Sequence, residues 1–151
     1  MTEFKKILFP SDLEESSAKI LPFVLSTAEK WDSEIYILYV VDDPLKWDGM
    51  YEMAYPSLSN LQEGALKAAK KALDKVCRNT LNGCPNFHRM VASGNTTSEI
   101  LKAIQTEGID MVIMGTHGSN WFGRTLFGSV AENVVKKSPV PVLVVNPNKI
   151  N

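Results

Sequence analysis

Residues 111–146 read MVIMGTHGSNWFGRTLFGSVAENVVKKSPVPVLVVN, and the fold follows from how this stretch is divided. Met111 to Met114 is β-prone with no polar face, as expected of a strand covered on both sides. A loop punctuated by Gly115, Gly118 and Gly128 follows, and Ser129 stands directly behind the last glycine. From Ser129 the pattern is helical: Val130, Ala131, Val134 and Val135 share one face, and Glu132, Asn133, Lys136 and Lys137 the other. Ser129 and Glu132 have capping-box spacing, which places the helix start at Ser129. After Pro139 the run from Val140 to Val145 is a further strand. A strand, a tightly turning loop and a helix N-terminus form an arrangement that suits an anion, most often phosphate. The glycines let the backbone approach a ligand, and the free N–H groups and dipole of the helix end face negative charge.

Upstream, strands and helices alternate. Lys6 to Pro10 reads as a buried strand ending in Ser11 and Asp12, and a helix is expected from about Leu13 to Lys30 with Ala18, Leu21, Leu25 and Ala28 inward. Pro22 lies within that pattern and predicts either a kink or a late helix start. Glu34 to Val41 is a second strand, rich in β-branched and aromatic residues. The segment from Asp42 to Ser59 has no clean period; it is either a lid packed on its own aromatics or a partner or ligand cover. A long helix is expected over residues 60–82, with Ala68 in its apolar stripe and Lys67, Lys70, Lys71 and Lys75 in a solvated face. Phe87 to Ala92 is a weaker strand on which His88 reads as a surface or edge histidine. A helix opened by Thr96 or Thr97, with Glu99 at capping-box spacing from Thr96, runs to Glu107 and is closed by Gly108. The alternation predicts one α/β domain over residues 1–151, a largely parallel five-stranded sheet with helices on both faces.

The composition limits the function classes. A chain of 151 residues with 44% hydrophobic and 22% charged residues is ordinary for a soluble globular domain. Its net charge of −1 gives no electrostatic case for nucleic acid. No apolar run approaches the roughly 20 residues that span a bilayer, and the charged start has no signal-peptide core. Cys77 and Cys84 are too few and too widely spaced for a zinc ribbon; their spacing permits a disulfide, but reduced thiols in a cytoplasmic protein are expected.

The spacing G-x2-G-x9-G-S, carried by Gly115, Gly118, Gly128 and Ser129, resembles the nucleotide-binding signature of the universal stress proteins. The opening KKILFPSD and the closing SPVPVLVV are similar to that family's first and last strands, so the resemblance covers nearly the whole chain. It implies a Rossmann-like sheet of order 3-2-1-4-5 and an ATP site, with Mg²⁺ on the phosphates, where the strand order reverses between the first and fourth strands. Asp12 then lies near adenine or ribose, with Pro10 and Ser11 shaping the turn. The backbone of Val40 recognises the adenine, Met114 walls the base and Gly115 lies against the ribose. Gly118, Gly128, Ser129 and Val130 hold the phosphates. Gly94 and Asn95 fall in a ribose-side loop where Thr96 replaces a frequent proline. The resemblance also implies a homodimer through residues 140–145, and a protein partner is open.

Local chemistry keeps alternatives beside these roles. Aspartate after a strand is also an ordinary turn or cap residue. The Ser129 hydroxyl has a choice between capping the helix and touching a phosphate. Arg124 is either a bidentate donor to the terminal phosphate or a solvent-facing charge, and His117 either contacts phosphate or orients a water or, as is more usual for a loop histidine whose carboxylate partner the sequence does not identify, is structural. Residues 118–125 fall one residue short of a Walker A loop, because Arg124 stands where lysine is needed, and no G-x-G-x-x-G occurs. No convincing set of catalytic groups emerges, so the expectation is a binder with at most slow ATP hydrolysis. Slow hydrolysis or self-phosphorylation, and a nucleotide-free partner or chaperone-like role, are the alternatives.

Overall fold

The structure, a computed structural model, describes residues 2–42, 63, 64, 67, 68, 70, 71, 74, 75, 86–117 and 127–150. Strand β1 (Lys6–Pro10) leads to helix α1 (Glu15–Trp31) and strand β2 (Glu34–Asp42). Strand β3 (Phe87–Gly94), helix α2 (Thr96–Glu107), strand β4 (Met111–Gly115), helix α3 (Ser129–Lys137) and strand β5 (Val142–Val145) follow. The described residues between 63 and 75 are helical as well, with Lys67, Lys70, Lys71 and Lys75 exposed. Ala68, expected in the apolar stripe, is exposed too. The predicted 42–59 loop, apart from Asp42 at the end of β2, and both cysteines lie outside the described residues.

All pairings are parallel and the order is β3-β2-β1-β4-β5, the predicted 3-2-1-4-5 arrangement of a Rossmann-like α/β sheet. Alternation along each strand builds two cores. One face carries Ile7, Phe9, Ile35, Ile37 and Ile113 against Ile20, Leu21, Val24 and Ala28 of α1. The other carries Leu8, Tyr36, Leu38, Val112 and Met114 against Ile100, Ala103 and Ile104 of α2 and Ala131 and Val134 of α3. Ile7, Leu8, Val112 and Ile113 are fully buried, each contributing about 1.5–3 kcal/mol of transfer free energy. These central strands therefore set the position of everything at their ends.

Helix α1 differs from its sequence reading in phase and start. It begins at Glu15 and runs through Pro22, so there is no late start. Pro22 has no N–H to offer the Ala18 carbonyl, and both residues are exposed. The inward residues are Ser17, Ile20, Leu21, Val24 and Ala28, with Leu25 packed at the margin; Ala18 is exposed. Strand β5 starts at Val142, two residues later than expected. Pro139 and Pro141 lack the N–H groups that a ladder needs, although the Pro141 carbonyl accepts from Val112 N–H at 2.9 Å.

The amino ends of the strands are tied by side chains. One Asp110 carboxylate oxygen accepts from the N–H groups of Lys5 and Lys6, each at 2.9 Å, and Lys6 Nζ donates to the Glu107 carbonyl at the end of α2 at 3.0 Å. On edge strand β3, His88 stacks on Tyr36 (4.3 Å, 17°) and its Nε2 lies 3.0 Å from Glu34 Oε2. The Tyr36 hydroxyl donates to the same oxygen. Burial pushes the Tyr36 phenol up, the Glu34 hydrogen bond adds to this, and Lys6 opposes it. Arg89 pairs with Asp74. His88 is thus the half-exposed edge histidine that its strand pattern suggested.

Candidate functional site at the carboxyl rim of strands β1 and β4

Strands β1 and β4 lie side by side, Ile7 opposite Met111 and Leu8 opposite Val112, and the chain leaves them in opposite directions across the sheet. A crevice at such a reversal is the usual ligand position in an open α/β sheet. From β1, Ser11 N–H donates to the Leu38 carbonyl at 2.9 Å, extending the pairing with β2 by one residue. The turn then tightens, with Leu13 at φ 62° and its N–H held by Ser11 Oγ at 3.1 Å. A left-handed leucine carries roughly 1–2 kcal/mol of strain, which the neighbouring hydrogen bonds offset.

Asp12 is the organiser of that turn. Its Oδ1 accepts from Glu14 N–H (3.0 Å) and Ser17 Oγ (2.5 Å), its Oδ2 accepts from Ser16 Oγ (3.1 Å), and its own N–H donates to Ser17 Oγ (3.1 Å). The turn role is therefore realised, while the cap of α1 is Glu14, and these bonds fix the carboxylate at the rim. Ser16 and Ser17 were not singled out in the sequence; serines four and five residues after a post-strand aspartate were the available signal.

From β4, Thr116 N–H donates to the Val145 carbonyl (2.9 Å), and the Thr116 carbonyl accepts from Gly128 N–H (2.7 Å). The two stems of the intervening loop thus meet at one backbone hydrogen bond. Both described glycines here answer to space. A Cβ on Gly115 would lie 2.7 Å from Ile20 Cδ1 and 3.2 Å from the His117 carbonyl oxygen, and one on Gly128 would lie 3.3 Å from the Thr116 carbonyl oxygen. Gly128 has φ −68°, which any residue adopts, so its requirement is close approach rather than conformation. Thr116 and His117 are buried, with Thr116 Oγ1 2.6 Å from His117 Nδ1.

Helix α3 starts at Ser129 with Gly128 as its cap, so the capping box read at Ser129 and Glu132 is not formed. Glu132 pairs instead with Lys136, which holds its carboxyl below the usual range. A glycine cap has no side chain to give the first N–H groups, and among the described residues no side chain caps this helix end. At the start of α2 the helix opens at Thr96, one of the two positions expected, but the cap is Asn95, its Oδ1 accepting from Ser98 N–H at 3.0 Å, so the Thr96–Glu99 capping box is not formed.

The predicted site residues divide accordingly. Pro10, Ser11 and Asp12 end β1, Val40 lies near the end of β2, Gly115 ends β4, and Gly128, Ser129 and Val130 open α3, all toward the carboxyl rim. Met114 is 5% exposed and its side chain belongs to the core beneath α2 and α3. Gly118 and Arg124 lie outside the described residues, as do the aromatic residues at 121 and 122. Thr116, whose backbone closes the loop, escaped the sequence reading.

With this geometry in place, comparison with known proteins gives a consistent outcome. The profile described as the Universal stress protein family matches residues 3–146. The universal stress protein MJ0531 of Methanocaldococcus jannaschii is 32% identical over 150 residues, covering 97% of this chain and 84% of that protein. The solved structure of MJ0577 from the same organism is 30% identical, with a TM-score of 0.81 over 96% of this chain and 97% of that one. A universal stress protein solved in complex with cAMP, 16% identical, shares the fold with a TM-score of 0.64 over 97% of this chain and 99% of its own.

Proposed function

Because the chain belongs to the universal stress protein family, we propose that it is a regulatory protein that binds an adenine nucleotide, ATP with Mg²⁺, at the carboxyl rim of β1 and β4. Residues 1–151 act as one domain, the protein works in the cytoplasm, and occupancy alters the loop surface that a partner meets. The observation that carries the reading is the glycine-capped start of α3, which directs main-chain N–H groups and a positive dipole end toward the rim beside Gly115. The close approach at Gly128 supports it, because the backbone there meets the opposite stem without an intervening side chain. A universal stress protein of this fold solved in complex with cAMP adds support, since the scaffold is compatible with an adenine nucleotide.

In this reading Asp12, Val40 and Gly115 face the nucleoside, while Gly118, Gly128, Ser129 and Val130 face the phosphates with Arg124 at the outer end. Magnesium would enter on the phosphate oxygens and neutralise their charge. A homodimer through β5 completes the proposal, supported by the exposure of Leu143 and Val135 beside an edge strand. Among the described residues no helix is long and apolar enough to cross a membrane.

Calorimetric titration of nucleotide-stripped protein with ATP and Mg²⁺ tests the site. Ser129→Asp is the informative variant, because an acidic residue in the first helical turn favours the helix while its charge opposes phosphate. Saturable binding by the parent and at least about a tenfold weaker affinity in Ser129→Asp, with undiminished melting temperature, are expected. A parent that does not bind ATP would refute the proposal.

A further inference from the structure

We propose that Thr116 and His117 are a positioning pair: the hydrogen bond between their side chains sets the height of the α3 N-terminus over the end of β4 and thereby the affinity for the phosphate end of a nucleotide. The inference rests on the nucleotide reading of the rim.

Three observations converge on the pair. The Thr116 backbone is held on both sides, by the Val145 carbonyl through its N–H and by Gly128 N–H through its carbonyl. The second of these bonds, at 2.7 Å, ends on the residue that caps α3, so any tilt of the Thr116 peptide is passed to the helix start. His117 is packed equally tightly: its carbonyl oxygen lies 3.2 Å from where a Gly115 Cβ would stand, and its Cα lies 3.7 Å from where a Gly128 Cβ would stand. His117 is 8% exposed and Thr116 7%, so the 2.6 Å contact between Nδ1 and Oγ1 is made out of water. A buried hydrogen bond between adjacent side chains restricts the backbone between them. Here that backbone is the floor under Gly128.

Geometry also says which part of a ligand should notice. The pair lies between the end of β4 and the start of α3, the phosphate side of the proposed site, whereas Asp12 lies in the turn after β1 and Val40 on β2. Loosening the pair therefore weakens phosphate contacts more than those of the nucleoside, of which Gly115 alone adjoins the pair. A residue that served stability alone would not discriminate between the two.

The test is titration of the parent, Thr116→Val and Thr116→Ser with ATP plus Mg²⁺ and, separately, with adenosine. Valine keeps the shape and removes the hydroxyl; serine restores it. Thr116→Val should bind ATP about five- to tenfold more weakly with adenosine affinity within about twofold of the parent, and Thr116→Ser should return ATP affinity to within about twofold. Equal ATP binding by parent and Thr116→Val, or equal losses for ATP and adenosine, would overturn the pair's role while leaving the site standing. A parent that binds neither ligand would overturn the nucleotide reading and the pair together. Should the valine variant not fold, His117→Gln, which withdraws Nδ1 from Thr116, carries the same comparison with the same deciding outcomes.

Discussion

The side chain that Gly115 lacks is a matter of packing. An added methyl meets the far end of Ile20, itself 2% exposed in the core, and the carbonyl of His117, so one neighbour must yield inside a filled layer. Overpacking of this kind destabilises by about 1–3 kcal/mol, and Gly115→Ala should lower the urea midpoint accordingly. An unchanged midpoint would show that Ile20 relaxes freely. At this scale Gly115 and Gly128 stood out in the sequence because their spacing is long and specific. Thr116 was not, since a hydrogen bond between neighbours in sequence leaves no spacing to read, and its importance comes from a backbone carbonyl that every residue possesses. Asp12 lay between these cases: the residue stood out, but its partners Ser16 and Ser17 became visible only once the turn had brought them round.

For the elements, hydrophobic period identified all five strands and the three helices α1, α2 and α3, and their ends and phases were harder to read. Both capping boxes failed for one reason: two eligible residues stood in succession, and sequence spacing does not say which begins the turn. At α2 the amide of Asn95 reaches Ser98 N–H and displaces Thr96 from the cap. Asn95→Ala should therefore cost about 1 kcal/mol, read as a lower urea midpoint, whereas Thr96→Ala should leave it nearly unchanged; the reverse order would return the cap to Thr96. Helix phase was misjudged at the margins. Val130, Ala131, Val134 and Val135 spread over roughly 140° of the α3 circumference, and the sheet covers only the middle. Ala131 and Val134 are buried, Val130 packs at the edge of the core, and Val135 is 47% exposed.

Across the whole molecule, parallel pairing with reversal between β1 and β4 concentrates turns, the α3 cap and close backbone approach at one rim. This was readable because an alternating βα series leaves few topologies, although the strand order itself came through family resemblance rather than spacing. The exposed Leu143 on edge strand β5 offers the test of assembly: Leu143→Glu should shift sedimentation from dimer to monomer at micromolar concentration, and a monomeric parent would dismiss the proposed dimer. The common direction of the strands has a practical consequence for handling the protein. The chain enters the sheet at Lys6 on the rim held by Asp110 and leaves it at Val145 on the rim that carries Gly115. A linker to a sensor surface attached ahead of Lys6 will turn the crevice toward solution, whereas one attached behind Val145 will press it against the support.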